Sequence, residues 1–261
     1  MNTLLPAASR GIAVAILLLL SLAAAPAELK VMSAVGVQEV MEDLGPMFEQ
    51  VSGHKLTIVF DPLGRVLKRI DDGETADVIV LPAQGIDRLV KEGKVASGEV
   101  RTIARSQVGV AVRKGTPKPD ISSPEAFKQS MLAAKSIFIS DPARGGIGTP
   151  HVLKVFERLG IAEEMKRKTT YTKVAGRAGI TQALAETDIN ISLNQLQEFA
   201  PVAGMEIVGP LPGELGLSTL FSAVVMTGSR NGEAARALVN FLRTPEAAVA
   251  ITTRGLEAAF P

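Results

Sequence analysis

The residues of this chain that could do chemistry gather in glycine-rich turns rather than in a catalytic set. Residues 140–149 read S-D-P-A-R-G-G-I-G-T. An apolar run, Ile137, Phe138 and Ile139, precedes them. Apolar residues at helical spacing follow, at Val152, Leu153, Val155, Phe156 and Leu159, and Gly160 is a stop. A strand, a glycine loop and a helix start place backbone N–H groups and the positive end of a helix dipole in one small space. Gly146, Gly148 and Thr149 border that space, and Thr149-Pro150 reads as an N-cap with proline at the first helical position. Arg144 adds a planar donor fork suited to carboxylates and oxyanions. A tight strand-to-helix connection would need the same glycines for steric reasons alone. The stretch by itself leaves both readings open.

The arrangement recurs. Ser33 and Gly36 follow one β-favouring run, and Asp61, Gly64 and Arg65 follow another. In a parallel α/β sheet such turns lie at the carboxyl ends of strands, where ligands bind. Each arginine alone reads as a surface ion-pair partner; two in equivalent turns point to binding. Asp61 would repel an anion unless it pairs with Arg65, which is the expectation. Ser192 and Asn194, around the end of an apolar run at 189–193, are further polar candidates.

Enzyme motifs are scarce. His54 and His151 lie far apart without metal-ligand spacing, His54 in a turn where exposure is expected and His151 near a helix start. There is no G-x-S-x-G elbow, and the glycine loop lacks the Lys-Ser/Thr ending of a phosphate-binding P-loop. The acid pairs Asp71-Asp72 and Glu163-Glu164 fall at helix ends. The reading is a binding protein, not an enzyme, with no cofactor and no metal.

Composition narrows the class. Residues 1–27 carry one charge, Arg10, then an apolar run and Ala25-Pro26-Ala27, the pattern of a cleaved secretory signal peptide. The run is shorter than the ~20 residues of a spanning helix. Losing Arg10 from 28 basic residues leaves 27 against 27 acids. A charge-balanced chain with one tyrosine and no tryptophan has neither the basic footprint nor the stacking platform of a nucleic-acid binder. With no cysteine there is no disulfide frame, zinc–thiolate site or lipidated cysteine.

The elements that must position these residues alternate. Strands are expected at 29–35, 55–60, 77–81, 108–112, 137–139, 189–193 and 221–226. Helices are expected at 37–51, with Pro46 inside the pattern, and at 65–70, 85–92, 124–131, 151–159, 180–186, 232–243 and 245–253. The segment 202–212 reads as loop around Ile207-Val208. This alternation means βαβ units and a parallel sheet.

This order resembles the periplasmic solute-binding proteins of ABC importers, above all the molybdate-binding type. The residues that carry the resemblance are E-L-K-V-M-S-A-V-G-V-Q-E-V-M-E-D-L at 28–44, F-E-Q-V-S-G-H-K-L-T-I-V-F at 48–60 and A-D-V-I-V-L at 76–81. S-D-P-A-R-G-G-I-G at 140–148 and S-R-N-G-E-A-A-R-A-L-V-N-F-L-R-T-P-E-A at 229–247 complete it. The resemblance implies an α/β protein of two Rossmann-like lobes joined by two crossover strands, the type II periplasmic-binding-protein fold. Lobe 1 would be 28–107 plus 213–261 and lobe 2 108–212, closing on a ligand by hinge motion. It further implies a periplasmic monomer that takes up a small anionic solute and hands it to an inner-membrane ABC permease. A receptor serving a sensor, or an enzyme on the same fold, are the alternatives.

The chain departs from the molybdate pattern at the ligand. That type holds the oxyanion with uncharged donors: a serine after the first strand, a serine after the second, backbone N–H groups and often a tyrosine. Here the first position is Gly36, with Ser33 nearby, and the second turn is Asp61-Pro62-Leu63-Gly64-Arg65. The tyrosine position falls near Leu193, and Pro62 has no N–H to donate. A tetrahedral dianion would lose several hydrogen bonds, each contributing on the order of 1–3 kcal/mol. The ligand is therefore expected to be a small anion, either a molybdate-type oxyanion or a small organic acid held by Arg65 or Arg144.

Overall fold

The computed structural model describes residues 26–95, 98–142, 148–172, 174, 176–188 and 190–261. Arg144, Gly146 and nearly all of the signal segment lie outside the described residues. The elements run β1 (Glu28–Ala34), α1 (Gln38–Ser52), β2 (Lys55–Asp61), α2 (Leu63–Asp71), β3 (Val78–Pro82), α3 (Ala83–Lys91) and β4 (Arg101–Arg113). Then come α4 (Pro124–Ala133), β5 (Ile137–Ser140), α5 (Gly148–Arg158), α6 (Ala162–Lys168), β6 (Thr169–Thr172), α7 (Gly176–Glu186), β7 (Ile191–Gln195) and α8 (Leu196–Phe199). The chain ends with β8 (Met205–Pro210), β9 (Ser218–Val225), α9 (Gly232–Phe241), α10 (Pro245–Thr253) and β10 (Glu257–Ala258).

The local reasons are plain. The β3 residues are apolar and all buried, as a strand covered on both faces must be; β3 pairs parallel with β1 but antiparallel with β9, so the sheet is mixed rather than parallel as expected. In α1 the apolar residues Val40, Met41, Leu44 and Phe48 form the buried stripe. Pro46 lies inside this helix without ending it. Thr244 caps α10 by accepting from the Ala247 N–H, with Pro245 at the first helical position.

The strand order is β2-β1-β3-β9-β4-β7-β5-β6, with β8 and β10 also on β4. β1 pairs parallel with β2 and β3, and β5 pairs parallel with β6 and β7. The 13-residue β4 ties the halves together. As far as Gln107 it pairs with β9, and from Val108 onward with β7. The return path, β8 into β9, runs antiparallel alongside it. One core draws on β1, β2, β3, β9 and the helices α1, α9 and α10; two others draw on residues between Val108 and Leu215.

Several expectations shift. The strand expected at 108–112 is only the second half of β4, because 101–107 is polar on its exposed face. The loop expected at 202–212 contains β8. Helix α5 begins at Gly148, so Thr149 is inside its first turn rather than capping it. His54 is 8 % exposed, not solvated: its Nδ1 accepts from the Ala27 N–H at 3.1 Å and its ring meets Phe48.

Candidate functional site

Strand register brings the carboxyl ends of both parallel sets to one cleft. At the end of β3, Pro82 stands opposite Phe221, and Phe221 stands opposite Ala104 of β4. At the end of β7, Gln195 stands opposite Val108 of the same strand. Four residues of β4 separate the two levels, about 13 Å of extended chain. β4 and β9 form the stretch between these levels.

From lobe 1 the cleft receives the end of β1 and the starts of α1, α2 and α3. Ser33 is fully buried and its hydroxyl donates weakly to the Ala34 carbonyl at 3.3 Å. Gly36 is packed: a Cβ there would sit 2.8 Å from the Phe221 ring. Gly64 is open, with nothing within 4 Å of such a Cβ. Asp61, 7 % exposed, pairs with Arg65 at 3.6 Å as expected, but its nearer partner is Arg69 at 2.8 Å. Arg69 is therefore the closer counter-ion of Asp61, and the Arg65 side chain stays 71 % exposed.

From lobe 2 it receives the ends of β5 and β7 and the start of α5. Asn194 is the centre of this edge. Its amide donates to the Ser140 hydroxyl at 2.9 Å and to the Glu198 carboxyl at 2.6 Å, and its Oδ1 accepts from the Gln195 N–H at 2.9 Å. Thr149 donates to the Ser140 carbonyl at 3.0 Å. A Cβ on Gly148 would meet Asn194 Oδ1 at 3.0 Å, so glycine is what lets α5 begin against β7. Burial pushes the Glu198 carboxyl up to about 7, with the Asn194 hydrogen bond opposing the shift. Ser192 is further back in β7 and bonded to the Phe138 carbonyl at 3.1 Å, which takes it away from the cleft. The His151 ring is bonded to the Leu215 carbonyl at 2.7 Å.

A polar floor joins the two edges, and sequence reasoning missed it. Gln195 Nε2 donates to the Ser106 hydroxyl at 3.1 Å, and Ser106 donates to Gln197 Oε1 at 2.7 Å. Thr219 stands directly across from Ser106 in the β4–β9 register. Ser106, Gln195, Gln197 and Thr219 are all buried. On one side Phe221, two residues along β9, lies under Gly36; on the other, Gln195 packs under Gly148. The floor thus runs from the start of α1 to the start of α5. The signal available in sequence was slight: polar side chains within strands, without turn chemistry. Beside it, residues 217–220 and the start of α3 enclose an open pocket of about 270 Å³.

Two α/β lobes, crossover strands and a cleft at the strand ends define the type II periplasmic-binding-protein fold. The model of the bacterial extracellular solute-binding proteins matches residues 29–257, and the chain belongs to that family. It is 33% identical over 234 residues to an aconitate isomerase of a Pseudomonas species, covering 88% of this chain and 87% of that protein. It is 28% identical over 239 residues to the molybdate-binding protein ModA of Azotobacter vinelandii, covering 91% and 92%. The substrate-binding domain of a putative molybdenum ABC transporter from Clostridium difficile superposes with a TM-score of 0.72 at 16% identity, over 88% of this chain and 98% of that one.

Proposed function

We propose that this is the periplasmic receptor of an ABC importer, exported by residues 1–27 and capturing a small organic carboxylate. Lobe 1 is 28–107 with 213–261, and lobe 2 is 108–212. The captured solute passes unchanged to an inner-membrane permease.

The turn after β2 carries the choice of ligand. It presents Asp61 and Pro62, a paired carboxylate and a residue with no N–H, where a molybdate site would need a hydroxyl donor. Arg65 beside it offers the planar fork that suits a carboxylate. The relatives agree with a divided ligand class, one being named for aconitate and another for molybdate. The test is thermal unfolding of the mature protein with molybdate, tungstate, sulfate, phosphate, succinate, cis-aconitate and trans-aconitate. A ligand at 100 times its Kd stabilises by about 2.7 kcal/mol, a readily visible rise in Tm. Carboxylates should raise Tm, and Arg65→Ala or Arg144→Ala should abolish the rise. A rise with molybdate or tungstate alone would sink the carboxylate assignment.

A second reading is isomerisation of a bound tricarboxylate, favoured by the 33% identical aconitate isomerase and by Glu198, whose near-neutral carboxyl suits proton exchange. Proton NMR of cis-aconitate incubated with the protein separates the two. Appearance of the trans isomer supports turnover, and binding without conversion supports the receptor.

A further inference from the structure

We infer that the cleft floor is a second ligand subsite, in which the Gln197 amide and the Thr219 hydroxyl donate to a second carboxylate of the solute. The inference rests on the carboxylate reading above and deepens it to a polycarboxylate.

The hydrogen-bond inventory of the floor leads there. Ser106 has one hydroxyl hydrogen, and it goes to Gln197 Oε1 at 2.7 Å. A lone pair of the same oxygen accepts from Gln195 Nε2 at 3.1 Å. Flipping the Gln197 amide would set two donors on Ser106 and leave its own hydrogen idle, so this orientation is the satisfied one. Gln197 Nε2 therefore points away from Ser106, and it is buried with no acceptor among the described residues. Buried amide donors are almost always paired in folded proteins, so one left over at a ligand cleft marks a place for an acceptor oxygen.

Its surroundings fit that use. Thr219 is 7 % exposed and its side chain lies on the same face as Ser106, its cross-strand partner. Ser106, 1 % exposed, and Gln195, 8 % exposed, hold Gln197 in place from β4 and β7. These four side chains are uncharged, so a carboxylate placed here meets donors without an ion-paired rival. The floor lies between the starts of α1 and α5, and Arg65 at the start of α2 takes the first carboxylate in the reading above. A solute with two carboxylates a few bonds apart can reach both positions, and a monocarboxylate cannot.

The test is isothermal titration calorimetry of succinate, trans-aconitate and butyrate into the mature wild-type protein, Gln197→Met and Thr219→Val, with the Tm of each unliganded protein. Gln197→Met keeps the length of the side chain and removes both the free donor and the acceptor of Ser106. Both variants should weaken whichever dicarboxylate or tricarboxylate binds the wild type by roughly tenfold, the loss of about one hydrogen bond. Butyrate binding should be weak in all three proteins and the same in each. The unliganded Tm of Gln197→Met should fall a little, because the substitution also removes the acceptor of the buried Ser106 hydroxyl, so the affinities carry the test. A purely structural Gln197 would leave polycarboxylate affinity intact in both variants, which overturns the inference alone. A wild-type protein that binds no carboxylate sinks the carboxylate reading and this inference with it.

Discussion

At the residue scale, Glu198 is the group whose chemistry differs most from its free state. Its carboxyl sits at about 7 instead of 4.5 because burial disfavours the charge, and the Asn194 amide only partly offsets this. A folded-state pKa above the unfolded value stabilises the fold at low pH. The contribution is full below about 4.5 and is lost as pH rises through about 7, a loss of roughly 3 kcal/mol. Glu198→Gln keeps an acceptor for Asn194 and removes the ionisation. Its Tm should therefore exceed the wild type's at pH 8.5 and match it near pH 5, and a difference independent of pH would refute the assignment. An anion in the cleft also favours the neutral acid, so solute binding should take up a proton and tighten as pH falls from 8 to 6. Calorimetry in buffers of different ionisation enthalpy measures that uptake.

At the element scale, the helix starts decide how closely a ligand approaches. Gly36, just ahead of α1, cannot grow: a Cβ 2.8 Å from Phe221 forces the ring to move. Gly36→Ala should cost about 1–3 kcal/mol in denaturant unfolding. Gly64, in the first turn of α2, has open space, so Gly64→Ala should stabilise by about 0.5–1 kcal/mol through helix propensity. If solute contacts the backbone there, the same variant binds more weakly although it is more stable; unchanged affinity would remove Gly64 from the site. Elements of this kind were legible in the sequence because their signals are local. The buried apolar run of β3, the amphipathic stripe of α1 and the Thr244-Pro245 start of α10 each declare themselves within a dozen residues. The polar half of β4, the edge strand β6 with its exposed Thr170 and Tyr171, and the short α8 do not, because tertiary pairing makes them. The site divides in the same way. Glycine turns and Arg65 were readable, but Ser106, Gln195, Gln197 and Thr219 meet only through the register of β4 with β7 and β9. Asp61 shows the same limit: its pairing with Arg65 could be anticipated from spacing, whereas its nearer partner, Arg69, depends on how α2 packs.

At the scale of the whole molecule, an ion pair among the described residues joins α1 of the proposed first lobe to α7 of the proposed second. Glu39, in the first turn of α1, meets Arg177 of α7 at 3.0 Å. Glu39 is held ready by its own lobe: Arg254 reaches it at 3.3 Å while bonding both oxygens of Asp43 at 2.7 Å. β4 changes partner after Gln107, and a hinge rotation at that point would separate Glu39 from Arg177 and break the pair. Arg177 is 54% exposed, and an exposed pair contributes at most about 1 kcal/mol. That is enough to shift an open–closed equilibrium by up to about fivefold. Arg177→Ala should therefore weaken solute binding two- to fivefold, mainly through faster release, and enlarge the unliganded protein's radius of gyration in small-angle scattering. Both effects should fade near 1 M salt, where the screening length is about 3 Å. Arg254→Ala should act on both properties of the molecule, lowering Tm through Asp43 and loosening closure through Glu39. A variant at Arg177 with unchanged affinity and unchanged scattering at low salt would mean that the pair follows closure without biasing it.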